Sequence, residues 1–402
     1  MAEPAYSFTI PSLEDDIKLD CRIYHPKMLG DTSLEVKAAV VAHPYAPLGG
    51  SYDDPVVGAM KETLLKQGYV VGTFNFRGAG DSEGKTSWTG RPETEDYISV
   101  AGFMMYYAHH LSSIRRSSGD GAQIGDDARY PMPLLLAGYS YGSLVLARLP
   151  SITKIVERFH AAAMGTAAAE IMMRTRTLAK QTMKTLDLHA PGNTPSRGRM
   201  LNPNDAATGF TIHSKASSVI MGGEETDSSQ RRHSRDSRRS VDAVRELPHR
   251  LKAHIRQSSD TSDKHHSRRR SQDTATPPGT VDSTLATPSV TAHYALISPV
   301  ILPFSNLISP PGAPSLPMGV KKAGTADNHA GALLLQQPTL VIFGTRDTFT
   351  STKRFLAWAE KQTKLSPSFE WEQVEGAGHF WRESGVMQAL QARVAKFAQI
   401  LD

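Results

Sequence analysis

Three residues of the sequence could together perform nucleophilic chemistry: Ser140, Asp347 and His379. Ser140 is the centre of a G-x-S-x-G pattern, Gly138–Gly142, between a short apolar run and a segment of helical character. Glycines on both sides leave room for a strained turn that projects the serine hydroxyl above a sheet. This turn is called a nucleophile elbow. The alternative is a glycine-rich strand-to-helix turn with an inert serine.

Asp347 and His379 supply what a serine nucleophile needs. Each follows a predicted strand on a glycine-containing loop, and the chain order is Ser, Asp, His. His379 would take the hydroxyl proton and return it to the leaving group, and Asp347 would orient the imidazole. A histidine that makes only a local hydrogen bond is the alternative. Three such residues at three strand ends favour a catalytic triad.

The tetrahedral intermediate of such a reaction requires two N–H donors. One is expected from the backbone of Tyr141, next to the nucleophile. The other is expected from the backbone of Tyr45 or Ala46, because Pro44 and Pro47 in the same loop have no N–H group to donate.

Strands alternate with helices along the chain, and the central strands are largely apolar, which predicts an α/β fold with a mostly parallel central sheet flanked by helices. Strands are expected at 6–10, 17–24, 38–42, 69–76, 134–137, 294–299, 338–344 and 368–374, and helices at 55–67, 93–111, 155–186, 352–362 and 386–401. Ligands bind beyond the carboxyl ends of such strands, where loops 43–50, 77–84 and 138–142 should converge.

Residues 155–186 carry a run of Ala, Met and basic residues. This composition predicts a helix packed over the domain as a lid, and a membrane-surface helix is the alternative. Residues 112–130 are polar and are expected to form a loop.

The 402-residue chain has a net charge of +5, but its basic residues are unevenly distributed. Between Ser228 and Ser271 there are thirteen Lys and Arg against five Asp and Glu. The remainder is mildly acidic, so the overall charge is no argument for nucleic-acid binding.

Residues 190–291 are rich in Ser, Thr, Arg, His and Pro and lack apolar periodicity, which predicts a long disordered insertion. It would separate the first part of one α/β domain, 1–189, from the second, 292–402. Arginines precede Ser234, Ser240 and Ser271, so these serines are phosphorylation candidates, and a kinase or phosphoserine-binding protein is an expected partner at 228–275. The alternative is a linker kept solvated by its charges.

The single cysteine, Cys21, excludes an intrachain disulfide and fits a reducing compartment. The sequence has neither the start of a signal peptide nor an apolar run long enough for a transmembrane segment, so a cytoplasmic protein is expected. No Cys/His cluster has metal-ligand spacing, and no glycine-rich loop carries a phosphate-binding lysine. Neither a metal nor another cofactor is expected.

The chain resembles the α/β-hydrolase superfamily, in particular uncharacterised α/β-hydrolase-like proteins with a His-Pro-x4-Gly-Gly loop. His43-Pro44 with Gly49-Gly50 matches that loop, and Phe74–Gly84 matches the segment F-N-F-R-G-x-G-x-S-x-G. The resemblance covers about 1–150 and 293–402. It implies an α/β-hydrolase fold, and His43 and Arg77 are expected to hold loops in place.

The expected function is that of a serine hydrolase, carboxylesterase-like, that acts on a small-molecule acyl substrate. The bond could be an ester, a thioester or an amide, with peptidase and thioesterase activity left open. A different class of function is a catalytically inactive scaffold that binds a partner or is regulated through the insertion.

Overall fold

The computed structural model describes residues 2–31, 33–87, 89–118, 131–160, 162–188, 287–300 and 333–401. The chain divides into two compact units. All of the described residues belong to the first unit, Met1–Gly222 with Pro278–Asp402, and none belongs to the second, Gly223–Pro277. Most of the predicted insertion 190–291, with the phosphorylation candidates Ser234, Ser240 and Ser271, also lies outside the described residues.

Eight strands form one sheet in the order β1-β2-β4-β3-β5-β6-β7-β8. The pairs β1–β2 and β2–β4 are antiparallel, and the strands from β4 across to β8 run parallel to one another. The strands are β1 Tyr6–Pro11, β2 Lys18–Tyr24, β3 Lys37–Ala42, β4 Tyr69–Phe74, β5 Met132–Tyr139, β6 Val290–Ile297, β7 Thr339–Arg346 and β8 Phe369–Gly378.

The helices that the structure describes flank this sheet: α1 Pro55–Lys66, α2 Arg91–Ser118, α3 Tyr141–Leu146, α4 Ile152–Phe159, α5 Ala167–Leu188, α6 Leu333–Gln336, α7 Thr352–Leu365 and α8 Val386–Ile400. The predicted mostly parallel sheet flanked by helices is confirmed. Among the described residues, no helix is both long enough and apolar enough to cross a membrane.

The central strands are continuous apolar runs because both of their faces are covered. Ala38–Ala42 and Leu134–Tyr139 are buried throughout. Tyr97 of α2 covers one face, where its hydroxyl donates to the Ala137 carbonyl at 3.0 Å. Parallel strands buried on both faces place their carboxyl ends along one edge of the sheet, and the candidate residues lie at that edge.

The predicted single helix over 155–186 is wrong, because the structure has two helices, α4 and α5. α4 ends at Phe159, because His160 adopts an extended conformation (φ −68°, ψ 129°), and Gly165 further along adopts a left-handed one (φ 84°). Thr166 then caps α5, accepting a hydrogen bond from the Ala169 N–H at 3.3 Å. α5 packs against α2, α4 and β1.

The predicted loop at 112–130 is also wrong in its first part, since α2 continues to Ser118. The Ser112 and Ser113 hydroxyls donate to the carbonyls of Ala108 and His109, four residues back, so polar residues are accommodated within the helix. The sixth strand also begins earlier than the predicted 294, because β6 starts at Val290, opposite Met132 of β5.

A buried hydroxyl cluster fixes α5 to the rest of the domain. The Thr182 Oγ1 lies 2.9 Å from the Tyr6 hydroxyl of β1 and 2.7 Å from the Tyr107 hydroxyl of α2. The same Tyr107 hydroxyl lies 2.8 Å from the His25 Nε2. One threonine therefore connects three elements.

We expect Thr182→Val to lower the free energy of unfolding by about 1–3 kcal/mol, because it leaves buried hydroxyls short of a partner without changing volume. Urea unfolding measures the change. Thr177→Val, on the exposed face of the same helix, is the matched control and should change stability by less than about 0.5 kcal/mol. Equal losses of stability in the two variants would show that the hydrogen bonds of Thr182 do not fix α5 to the domain.

Candidate active site

Ser140 lies in a strained turn between β5 and α3. Its backbone has φ 53° and ψ −110°, outside the regions that side chains favour. A Cβ on Gly138 would lie 2.4 Å from the Gly142 carbonyl carbon, and one on Gly142 would lie 2.7 Å from the Ala42 oxygen. Both glycines are therefore required by close backbone approach, while Ser140 itself carries the positive φ.

The structure brings Ser140, His379 and Asp347 together in one hydrogen-bonded chain. The Ser140 Oγ lies 2.8 Å from the His379 Nε2, and the His379 Nδ1 lies 2.8 Å from the Asp347 Oδ2. All three residues are buried. When the Nδ1–H donates to the carboxylate, the Nε2 is left as an acceptor for the serine hydroxyl.

The carboxylate of Asp347 is held from its other side. Its Oδ1 accepts the backbone N–H of Phe349 at 2.8 Å and that of Thr350 at 3.2 Å. These two bonds fix the plane of the carboxylate, so the Oδ2 is presented to His379. Asp347 directly follows Arg346, the last residue of β7, and its position is set by the strand end.

The carboxyl end of β6 connects the loops that carry these three residues. The Ile297 carbonyl accepts the Ser140 N–H at 2.8 Å. The next residue, Ser298, accepts the indole N–H of Trp381 at 3.1 Å, two residues beyond His379.

Pro299, the third consecutive residue, completes this set of contacts. Its carbonyl accepts the Thr350 hydroxyl at 3.0 Å, on the loop of Asp347. Ser298 and Trp381 both have positive φ values, 43° and 55°, each of which costs of order 1–3 kcal/mol. Neither residue is marked by any sequence pattern, so sequence reasoning missed both.

Tyr139 is another residue that sequence reasoning missed, although it lies inside the G-x-S-x-G pattern. Its hydroxyl donates to the His379 carbonyl at 2.8 Å. The residue before the serine thus holds the backbone of the histidine. The pattern leaves this position unspecified and gives no signal for the contact.

The N–H groups predicted to bind an oxyanion lie at the starts of two helical turns. Tyr141 is the first residue of α3, so its N–H has no acceptor within the helix. Ala46 begins a 3-10 turn, Ala46–Leu48, and Tyr45 precedes it. The Tyr45 and Tyr141 rings are 5.2 Å apart, which places the two donor segments side by side.

His43 fixes the loop that carries Tyr45 and Ala46. Its Nε2 accepts the Phe76 N–H at 2.9 Å, so the proton is on Nδ1, which donates to the Pro44 carbonyl at 2.6 Å. The ring is fully buried, and burial lowers the pKa of His43 to about 4. Neutral His43 therefore links the end of β3 to the loop after β4.

Arg77 fixes the loop after β4 through ion pairs. Its guanidinium pairs with Asp96 of α2 at 2.7 Å and with Asp15 of the β1–β2 turn at 3.0 Å. The Ser12 hydroxyl donates to the same Asp96 carboxylate at 2.7 Å. The arginine thus joins the loop after β4 to α2 and to the β1–β2 turn.

Comparison with known proteins gives one family and a set of structures. The sequence model of the X-Pro dipeptidyl-peptidase (S15) family matches residues 15–102. An α/β serine hydrolase homologue from Coxiella burnetii is similar at 13% identity, with 98% of each chain covered and a TM-score of 0.43. An α/β serine hydrolase without a lid from Xanthomonas campestris is 15% identical, with 100% of this chain and 97% of that chain covered and a TM-score of 0.43.

An esterase from Pyrococcus furiosus is 13% identical, with 99% of this chain and 93% of that chain covered and a TM-score of 0.40. No curated protein matches significantly. At these identities and TM-scores the structural likeness carries no argument about function. The S15 match contains the loop around His43 but none of Ser140, Asp347 and His379.

The topology of this chain decides the fold. The strained serine follows β5, the carboxylate follows β7 and the imidazole follows β8 of the eight-stranded sheet. The chain has the α/β-hydrolase fold. The predicted fold is thereby confirmed, and the fold together with the S15 match over residues 15–102 supports a hydrolytic function.

In the part of the chain that the structure describes, no group of three or more His, Cys, Asp or Glu side chains is arranged to hold a metal ion. The free thiol of Cys21 is buried in the sheet, and burial raises its pKa well above the usual value.

We expect Gly142→Ala to lower the unfolding temperature, because its new Cβ would lie 2.7 Å and 2.8 Å from the carbonyl oxygens of Ala42 and His43. The loss should correspond to about 1–3 kcal/mol. Gly58→Ala in α1 is the control, since its Cβ would meet open space, and it should stabilise by up to about 1 kcal/mol. Thermal unfolding of both variants tests this, and a neutral Gly142→Ala would contradict the close approach.

Acid should weaken the fold through His43. Below about pH 6.5 His43 of the unfolded chain binds a proton, whereas buried His43 of the folded chain stays neutral until the pH nears its pKa of about 4. Because the unfolded state binds more protons, the free energy of unfolding falls as the pH is lowered. Between pH 7 and pH 5 this contributes a loss of about 2 kcal/mol.

His43→Gln removes the titration of this residue. The other buried histidines are present in both proteins, so their contributions to the pH dependence cancel when the variant is compared with the wild type. Urea unfolding at pH 7 and pH 5 should therefore show that the variant loses about 2 kcal/mol less than the wild type over this range. An identical loss in both proteins would show that His43 does not titrate in this way.

Proposed function

We propose that this chain is a serine hydrolase that cleaves an ester, thioester or amide bond through an acyl-enzyme on Ser140. The observation that carries the proposal is the continuous chain of two 2.8 Å hydrogen bonds from the Ser140 hydroxyl through His379 to Asp347. A buried serine in a strained turn, bonded to an imidazole that is itself oriented by a carboxylate, is the arrangement that activates a hydroxyl.

Acylation begins when the His379 Nε2 accepts the hydroxyl proton and the Ser140 Oγ attacks the substrate's acyl carbon. Asp347 keeps the Nδ1–H in place and stabilises the imidazolium that forms. His379 then gives the proton to the departing oxygen, sulfur or nitrogen while the bond between that atom and the acyl carbon breaks. Because the two hydrogen bonds already exist, little reorganisation is needed at that moment.

The negative charge that develops on the acyl oxygen would be bound by the N–H of Tyr141 and by that of Tyr45 or Ala46. Removing one donor of this kind typically lowers the rate by about 10²–10³. Deacylation repeats the sequence with water: His379 takes a proton from the water as its oxygen attacks the acyl carbon. The bond from the acyl carbon to the Ser140 Oγ then breaks, His379 gives the proton to the Oγ, and the carboxylic acid departs. The cycle uses no metal or organic cofactor.

Carboxylesterase-like activity is the form of the proposal to test first, with peptidase and thioesterase activity as the other outcomes. The S15 model, which matches residues 15–102, describes a peptidase family, so amide bonds belong in the assay beside esters. The same residues serve both bonds. The assay therefore pairs p-nitrophenyl esters of increasing acyl length with aminoacyl amides.

A fluorophosphonate probe should modify the full chain stoichiometrically at Ser140, because phosphorus captures the activated Oγ. Ser140→Ala and His379→Ala should abolish labelling and lower turnover by at least about 10⁴-fold. His160→Ala replaces an exposed histidine at the end of α4 and should label at the wild-type rate.

Peptide mapping by mass spectrometry locates the modified residue. Folded protein that is neither labelled nor hydrolytic would contradict the proposal and favour the scaffold function. Labelling elsewhere that survives Ser140→Ala would show that another residue is the nucleophile.

A further inference from the structure

We propose that Phe349 and Phe380 form the leaving-group subsite of this hydrolase and select substrates whose departing group carries an aromatic ring. The inference rests on the proposed function and goes beyond it, because the triad itself is indifferent to what departs. It concerns only the side of the site on which His379 lies.

The first observation is an exposed aromatic side chain beside the histidine. Phe380 follows His379 directly and is 51% exposed, although burial of a phenylalanine would stabilise the fold. Its ring centroid lies 5.5 Å from that of His379, at an interplanar angle of 90°. Packing of the core does not account for this position.

The second observation is that the ring of Phe349 lies perpendicular to that of Phe380, so that the two rings form a corner beside His379. Its ring centroid lies 4.3 Å from the His379 ring and 6.0 Å from the Phe380 ring, and the two phenylalanine rings are nearly perpendicular at 88°. Phe349 is itself only partly buried. The guanidinium of Arg382 lies 5.3 Å from the Phe380 ring and helps to hold its orientation.

The chemistry of the triad indicates which part of the substrate would lie beside Phe349 and Phe380. The His379 Nε2 takes the proton from Ser140 and gives it to the departing atom, so that atom must come within hydrogen-bond reach of Nε2. The acyl part stays on Ser140, beside the proposed N–H donors of Tyr141 and of Tyr45 or Ala46. The departing group therefore extends along the rings that flank His379.

The geometry of the corner favours an aromatic occupant over a merely apolar one. Aromatic pairs prefer offset-stacked or edge-to-face arrangements with centroids 4.5–7 Å apart. Two perpendicular rings allow one substrate ring to present its face to one phenylalanine and its edge to the other. Such pairs contribute beyond the area they bury, which corresponds to a preference of about 3- to 10-fold over a saturated ring of similar size.

The test compares two acetate esters, benzyl acetate and cyclohexylmethyl acetate, which share the acyl group and a primary alcohol and differ in ring aromaticity. For each protein the readout is the ratio of the two kcat/KM values, which does not depend on the fraction of active protein. The wild type should prefer the benzyl ester by about 3- to 10-fold. Deacylation should be the same for both esters, since the acetyl-enzyme is common to them.

Phe380→Ala should bring the ratio to within about twofold of one, and Phe380→Leu should do the same while it retains an apolar contact. Both variants should still be labelled by the fluorophosphonate at Ser140, because the hydroxyl and imidazole are untouched. Leu365→Ala removes another exposed apolar side chain, 60% exposed at the end of α7, and should keep the wild-type ratio.

A wild-type ratio near one, or a Phe380→Ala ratio equal to that of the wild type, in proteins that the probe labels at Ser140, would overturn the subsite and leave the hydrolase standing. If the probe labels nothing and neither ester is hydrolysed, the proposed function fails and the subsite fails with it. The labelling arm therefore distinguishes the two failures.

Discussion

The candidate site depends on the carboxyl end of one strand, β6. Three consecutive residues, Ile297–Pro299, bond to the backbone of Ser140, the indole of Trp381 and the hydroxyl of Thr350. Each partner lies on a loop that carries one member of the Ser140–His379–Asp347 chain. Because β6 lies between β5 and β7 in the sheet, it is the element that can reach all three loops. The two 2.8 Å bonds of the chain are therefore set by backbone and side-chain contacts outside it.

The opposite side of Ser140 is fixed by close backbone approach and by one neutral imidazole. Gly142 leaves room for the end of β3, and His43 joins that end to the loop after β4. The N–H groups of Tyr45 and Ala46 are thus held on a loop whose support does not involve Asp347 or His379. The proposed nucleophile activation and the proposed oxyanion binding therefore rest on separate sets of contacts.

Much of this arrangement follows from the sequence, because apolar strands and their polar ends are local patterns. The α/β-hydrolase fold and the mostly parallel sheet are confirmed, and the structure places Ser140, Asp347 and His379 in contact, while their catalytic roles stay a prediction. The Ser298–Trp381 bond could not be predicted, since it joins residues 83 positions apart that no motif marks. The break before α5 and the extension of α2 depend on single capping and back-bonding hydroxyls, which propensity does not resolve.

The central claim is that the Ser140 Oγ attacks an acyl carbon while Tyr141 and the Tyr45–Ala46 segment bind the oxygen. A crystal structure of the full chain with a benzylboronic acid tests it most directly, because a boronate adopts the tetrahedral geometry of the intermediate. The account predicts a covalent bond from the Ser140 Oγ to boron, with one boronate oxygen accepting the Tyr141 N–H and the N–H of Tyr45 or Ala46. A boronate bonded to another residue, or one on Ser140 whose oxygen meets neither donor, would contradict it.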